Sequence, residues 1–535
     1  MPRRKLVSTS SQVLDSGVIA QFKYFDHGDL SDSEDKTQNF IKDPEQQIKQ
    51  ETRFVPFSAG NKVRDALFLT LICLAGFGLY FLYDVPSAIG LDIKTATNMS
   101  QSDFMFTFYT LYSYPSAIAA IFSGFLIDNV FGLGLGGVVF AGIGILSQVI
   151  MTFGMVFKQN WLLGVGRFLL GSASEPLGVL RSTYNAKYFP DAAYYGLVLA
   201  ASRAGAVSSF LALPHVLCWI YEGSPSCLND EKFDQNVTLV GQTVQNSTGP
   251  SSTGQKITGL TTNYVPDTEE IYFALQVCCV IGILAVILVL AMMMVLWKVD
   301  SYFDAKFKKS GKNKKSKHAD HSVLNLNTVK SFPVAAWLLI LIFMFFYSAI
   351  FPFNSMLPDY LKEHLNFDKD LAAAMSSVVY LLSVIGAPFF GKLVDLNHKH
   401  PIWSLTSCTV LGISHFTWGW VVEKTEPSEY EKLRLTLLAL NLLNGICYSV
   451  MASTISPWMG KMMPMKWKAT AFGILYGFQN IGVGSINLLV GYGVDKLGWT
   501  YFPFLCGSVS FIAAGFSVMI IFVEGLDPWD TYLDE

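Results

Sequence analysis

Charge is scarce in this sequence: Asp, Glu, Lys and Arg make up 15% of 535 residues, against 51% apolar, and the net charge is only −3. A water-exposed globule of this length does not easily tolerate such a balance, and bilayer is the better solvent. Eight cysteines are present, but none stands at zinc-ligand spacing. The chain also lacks a phosphate-binding glycine loop, a catalytic triad and a cluster of metal-ligating side chains. These absences argue against a primary pump or a membrane enzyme, and neither cofactor nor nucleic-acid partner is expected. Residues 1–60 are polar and lack the apolar core and cleavage site of a signal peptide. They read as a disordered cytosolic tail.

What the sequence does have is long apolar runs. About 20 residues of helix cross about 30 Å of hydrocarbon, and twelve stretches fit: 65–84, 104–127, 131–157, 161–183, 193–215, 269–297, 333–353, 371–394, 401–422, 433–457, 469–492 and 500–523. Lipid offers no partner to bare backbone groups, so each span must be a hydrogen-bonded helix and the expected fold is all-α. The loop 298–332 carries nine lysines, including Lys308, Lys309, Lys312, Lys314, Lys315 and Lys317. The positive-inside rule places it, and with it both termini, in the cytosol. Three glycosylation sequons begin at Asn98, Asn236 and Asn246, and all fall in loops that the lysines assign to the opposite, lumenal side. Cys218 and Cys227 open the lumenal loop 216–268 and are candidates for a disulfide, whereas the other six cysteines lie in spans and read as small packing residues.

The lysine-rich loop divides the chain into halves of six spans: a bundle over 61–297, a linker over 298–332, a second bundle over 333–523 and a cytosolic tail over 524–535. The halves share a motif. Gly124 stands four residues before Asp128 at the end of the second span, and Gly391 four before Asp395 at the end of the eighth. A glycine one turn before the carboxylate allows close helix approach, while the carboxylate can cap a neighbouring helix N-terminus, an arrangement suited to a gate. Either copy alone would read as an ordinary loop acid. Gly473 and Gly477 in the eleventh span sit one turn apart, as in a tight helix crossing.

These repeats resemble the short loop motif of the major facilitator superfamily, although Asn129-Val130-Phe131-Gly132 replaces the basic residues that usually follow in the first copy. Gly166-Arg167-Phe168-Leu169-Leu170-Gly171 resembles that family's fourth-helix motif. Further segments resemble the branch that carries dipeptides across the lysosomal membrane: Gly76 to Asp84, Gly166 to Leu177, Phe351-Pro352-Phe353, Ser377 to Tyr380 and Gln479-Asn480. The resemblance implies two six-helix bundles around an alternating-access cavity, facilitated uncoupled transport, a lysosomal address and a glycosylated single-span lumenal accessory protein. The tail lacks the acidic-dileucine signal that this branch normally has, so the plasma membrane or another acidic vacuole stays open.

Charged side chains inside a span cost roughly 2.5–3.5 kcal/mol each, so they should face protein or a wet cavity. Glu175 in the fourth span and Arg203 in the fifth are such residues. An acid and a base at similar depth suit a zwitterion, with a carboxylate on Arg203 and an ammonium on Glu175. The resemblance implies the same pair; the plainer alternative is a salt bridge between the two that only joins helices. Tyr83, Tyr347, Tyr448, Gln479 and Asn480 are the further candidates for contact with substrate, the amides because hydrocarbon leaves them in need of partners. Arg167 lies about 12 Å along the helix from Glu175, too far to pair with it, and reads as a packing or conformational residue. His415 reads as a packing histidine in the ninth span. The functional expectation is a carrier of dipeptides or similar small zwitterions. Two alternatives stand beside it: a carrier of another amino acid or organic anion, and a non-transporting membrane receptor.

Overall fold

A computed structural model describes residues 62–188, 192–220, 268–309, 332–463 and 468–524. Every regular element among them is helical. The first bundle opens with α1 (Lys62–Ala88), which runs through Pro86, and the short α2 (Gly90–Thr97), closed by Asn98 in the left-handed region at φ 53°. Ser100 then caps α3 (Gln101–Met105) by accepting from the Asp103 amide. A π-helical turn, Phe106–Thr110, joins α3 to α4 (Leu111–Leu126), and a second, Ile127–Phe131, leads into α5 (Gly132–Val156). That junction needs Gly132, whose φ of 66° is reached without a Cβ clash. The bundle continues with α6 (Asn160–Tyr188), α7 (Ala192–Ile220) and α8 (Thr268–Lys309).

The second bundle contains α9 (Val334–Asp359), extended by a π-helical turn at Tyr360–His364, then α10 (Lys369–Asn397), α11 (His400–Lys424), α12 (Arg434–Met462), α13 (Lys468–Leu497) and α14 (Tyr501–Glu524). Counting α3 and α4 as one rod, the described residues form twelve long helices in two sets of six. Nine helical stretches among the described residues are long and apolar enough to cross a membrane by length and composition alone. The other three rods are explained by their contents: α4 is cut to 16 residues by its π turns, α6 carries Arg167, Glu175 and Arg181, and α11 carries His400 and His415. Their polar groups face protein. Arg167, Arg181, His400 and His415 are all buried.

The bundles meet along two seams, α4 on α13 and α7 on α10. On the first seam a Cβ at Gly473 would lie 2.7 Å from the Ala120 carbonyl oxygen, so only glycine permits that crossing. Within the first bundle the same device brings α7 onto α1: a Cβ at Gly205 would run into the carbonyl of Phe77.

Several expected boundaries move. The sixth span is not confined to 269–297, because α8 runs on to Lys309 and takes in the first third of the expected linker. Leaving the hydrocarbon ends the apolar run but not the helix, since lysine is a good helix former. The seventh likewise continues past 353 to His364, and the first past Asp84 to Ala88. The tails 1–60 and 525–535, the lysines from Lys312 onward, Cys227, Asn236 and Asn246 lie outside the described residues, as does the side chain of Cys218. Of the packing cysteines, Cys278, Cys408, Cys447 and Cys506 are buried and Cys73 and Cys279 half-buried.

Candidate functional site

A cavity of about 80 Å3 lies between the bundles. From the first bundle it is lined by Tyr80, Tyr83 and Asp84 of α1, Tyr112 of α4, and Glu175 and Arg181 of α6. The second contributes Tyr347 and Phe351 of α9, Tyr380 of α10, and Tyr476, Gln479 and Asn480 of α13. Its charge therefore comes from one bundle and its amides from the other, while both supply hydroxyls and aromatic faces. Such a mixture can orient a small polar molecule while keeping bulk water out.

Of the seven expected contact residues, Glu175, Tyr83, Tyr347, Gln479 and Asn480 line this cavity. Glu175 lies beside Asn480, whose Nδ2 donates to the Tyr476 carbonyl at 2.9 Å. Tyr83 packs edge-on against Tyr109 and Tyr112 within the first bundle and meets Phe351 across the seam, with ring centroids 6.0 Å apart. Arg203 and Tyr448 are brought together but stand behind the lining. The Arg203 guanidinium lies 3.9 Å from the centre of the Tyr448 ring, and its Nη1 donates to Ser383 Oγ on α10. This is a cation–π contact coupled to a hydrogen bond between bundles. The alternative of a helix-joining salt bridge between Glu175 and Arg203 is not what forms: no such pair is present among the described residues, and each side chain has different neighbours.

Two charged lining groups stand outside the expected contacts. Asp84 is fully buried and accepts from Tyr380 Oη at 3.3 Å across the seam. The expected first span ends at this residue, whereas the helix continues one turn further. Arg181 is also buried; its Nη1 donates to Ser202 Oγ at 2.7 Å, and its guanidinium lies 6.0 Å from the centre of the Tyr80 ring. Its position within the expected fourth span was the available signal. Arg167 takes a packing position, donating to the carbonyl oxygens of Leu82 and Tyr83 at 3.2 and 3.1 Å and lying beside the rings of Phe108, Tyr109 and Tyr112. His415 is stacked on Phe353, centroids 4.2 Å apart.

The sequence profile of the Major Facilitator Superfamily matches residues 276–422 and 340–531. The lysosomal dipeptide transporter MFSD1 of Bos taurus is 27% identical over 515 residues, covering 93% of this chain and 96% of the relative. Its namesake in Homo sapiens is 28% identical over 453 residues, 84% of each chain, and that in Gallus gallus 27% identical over 474 residues, 87% of this chain and 86% of the relative. The profile matches cover residues 276–531, and over most of its length the chain is similar to these named transporters.

Two further sets of polar residues stand at opposite ends of the bundles. At one end are the repeated motifs. Gly124 and Gly391 are buried; the Asp128 backbone lies in the π turn before Gly132, and its side chain is outside the described set. Among the described residues Asp395 caps no helix N-terminus, contrary to expectation. It pairs with Lys461 in the last turn of α12 at 3.5 Å, because a full cationic charge within reach attracts a carboxylate more than the partial charge of a helix end does.

At the other end lies a cluster of charges outside the expected spans. Lys94 of α2 pairs with Asp359 of α9 at 2.9 Å and with Glu363 of the following π turn at 2.6 Å. It also donates to Gln101 Oε1 at 2.7 Å, and Gln101 Nε2 reaches back to Asp359 at 3.4 Å. The Ser102 amide donates to Asp495 of α13 at 2.9 Å. Each of these contacts except Lys94–Gln101 joins one bundle to the other. Burial works against the Lys94 ammonium, but the carboxylates of Asp359 and Glu363 outweigh it and hold its pKa above the ordinary lysine value.

Proposed function

We propose that this transporter is a facilitative carrier of dipeptides or closely similar small zwitterions, moving them from a lysosome-like lumen to the cytosol by alternating access. The observation that carries the reading is the cavity between the bundles. Glu175 and Asp84 offer carboxylates to an ammonium, Gln479 and Asn480 offer amides to a peptide bond, and guanidinium groups stand within and just behind the wall. The names of the relatives support the same substrate class and compartment. In this reading Arg203 takes the substrate carboxylate once Tyr448 turns aside, exchanging a cation–π contact for a two-pronged charge-assisted one. Because Arg203 is tied to Ser383 on the opposite bundle, substrate binding there also alters a contact between bundles.

With the lysine-rich loop in the cytosol, the Lys94 cluster falls on the lumenal side and acts as a latch that closes the cavity from the lumen. Gly124, Asp128, Gly391 and Asp395 serve the cytosolic gate, and Arg167 fixes α6 to α1 beside the cavity. Asn98, exposed at the lumenal end of α2, is a glycosylation site, as are Asn236 and Asn246, and Cys218 and Cys227 form a disulfide in the same compartment. A glycosylated single-span accessory protein would associate on that side.

The test is uptake of labelled dipeptides, with free amino acids as control, into proteoliposomes containing the wild-type chain, Arg203→Ala or Glu175→Gln. Saturable dipeptide uptake by the wild type that falls at least tenfold in both variants is expected. Absence of dipeptide flux in a well-folded wild-type preparation would remove the substrate assignment.

A further inference from the structure

A groove runs between the α3–α4 rod and α6 on the outward face of the first bundle, away from the cavity between the bundles. In its wide part, of about 760 Å3, Phe106, Val165 and Phe168 are exposed, and the more deeply set Thr107, Leu111 and Gly164 form the floor. Glycine keeps that floor flat, because a Cβ at Gly164 would lie 2.9 Å from Leu111 Cδ1. A narrower part of about 290 Å3 continues past Leu111 and Phe168, which line both, toward Pro115 and Ile118. Trp161 stands at the mouth with Asn98, Asp103 and Asn160. An exposed tryptophan beside polar groups marks the boundary between membrane and water. From Asn160 to Leu169 the helix advances about 14 Å, close to half of the roughly 30 Å of hydrocarbon, so the wide part is one leaflet deep.

The mouth selects by charge. Asp103 Oδ2 accepts from Ser100 Oγ at 2.9 Å, and Asn160 spends its Nδ2 on the Thr97 carbonyl at 3.3 Å. The side-chain oxygens left over on these two residues are acceptors, one of them anionic, and no lysine, arginine or histidine lines either part of the groove. A lipid phosphate would bring like charge to Asp103 and meet no cation, whereas a hydroxyl can donate to the carboxylate. The taper selects by shape. A two-chain lipid keeps its width along its length, while fused rings followed by one short alkyl tail are wide above and narrow below. The groove also borders the seam between the bundles. Ser102, next to Asp103, donates to Asp495 of α13, and Tyr114 Oη in the narrow part is hydrogen-bonded to Ser485 Oγ of α13 at 3.1 Å.

We propose that this groove binds a sterol from the leaflet on the Lys94 side, with the sterol hydroxyl donating to Asp103, the rings lying on Leu111 and Gly164 between Phe106 and Phe168, and the tail passing toward Ile118. Such a site is independent of the cargo and needs only that the chain cross a bilayer. Occupancy covers apolar side chains of both helices at once and places the sterol beside contacts that join the bundles.

The test is labelling of the full-length chain, in phosphatidylcholine vesicles, by a diazirine-bearing cholesterol analogue, with the attachment sites read by peptide mass spectrometry. Labels are expected within 103–122 and 160–172. Excess unlabelled cholesterol should lower this labelling by about tenfold, and its 3α-hydroxyl epimer, phosphatidylserine or sphingosine by less than about twofold. Asp103→Ala removes the charged acceptor and should weaken the competition by cholesterol about tenfold. Val165→Trp fills the wide part from a lipid-facing position and should abolish labelling there. Should Asp103→Ala not fold, Asp103→Asn keeps an acceptor for Ser100 and should weaken the competition about threefold. Labelling spread evenly over the lipid-facing helices, or displaced equally well by the epimer or by phosphatidylserine, would overturn the site. Displacement by sphingosine in preference to cholesterol would overturn the sterol assignment in favour of a cationic single-chain lipid. None of these outcomes bears on the dipeptide reading, which uptake alone decides.

Discussion

The latch can be tested by removing its lysine. Lys94→Met keeps most of the aliphatic stem but leaves the Asp359 carboxylate, 7% exposed, facing Gln101 without a cation. Taking one partner from a buried pair costs about 3–5 kcal/mol, because the other charge is left in a poor solvent. Here the figure must be reduced. Glu363 is 35% exposed and already partly solvated, and its pairing is worth little once water screens it. A loss of about 2–3 kcal/mol from the latched state relative to an open one is the reasoned value, equivalent to a roughly 30- to 150-fold shift in population.

Spin labels at the exposed positions Thr95 and Asn366, one at the same end of each bundle, would report it by double electron–electron resonance. Lys94→Met and Asp359→Asn should both transfer population to longer distances, while Lys94→Glu combined with Asp359→Lys should return it. Lysine titration does not confuse the experiment. Because the folded pKa of Lys94 is raised above its ordinary value of 10.5, its contribution is fully present below that value and is lost only as pH rises through the folded one. Changes between about pH 5 and pH 8 therefore cannot arise from the lysine. Distance distributions in the two single variants that superimpose on the wild type would refute the latch.

Two further outcomes follow from packing. Gly205→Ala pushes a methyl group into the Phe77 carbonyl, which belongs to a helix backbone and cannot rotate away; it should destabilise the protein by about 1–3 kcal/mol, read as a lowered melting temperature in detergent. His415→Phe replaces one flat ring stacked on Phe353 by another, so uptake should stay within about twofold of wild type and keep its pH profile between about pH 5 and pH 7; an altered profile would make His415 a proton carrier instead.

The helices were legible because lipid forces every apolar run of sufficient length into one structure, even where the run is rich in glycine. Their ends were not. Hydropathy reports where the hydrocarbon stops, whereas a helix stops where capping or backbone geometry ends it, and α8 shows the difference by continuing to Lys309. The π turns on either side of α4 gave no readable signal, since they change a hydrogen-bond register without requiring an unusual residue. The seam glycines were readable as small residues, and only the structure identifies Ala120 as the partner of Gly473.

The cavity was legible where charge stood out against an apolar background. Glu175 was found for this reason, and so was Arg203, although its guanidinium turns toward Tyr448 and Ser383 because the choice of rotamer leaves no trace in a sequence. Asp84, Lys94, Asp359 and Glu363 are hard to read from sequence for one shared cause: each lies at or beyond the end of an expected span, where a charge ordinarily meets water at no cost. In this protein α1 and α9 carry on past those ends and α2 folds against them, so that Lys94, Asp92 and Asp359 are shielded by protein rather than by lipid. Shielding by protein depends on which helices meet, a property of the pair and not of either run. A charge near the end of a span is thus free or structural according to its partner, and the partner of Lys94 lies 265 positions along the chain at Asp359.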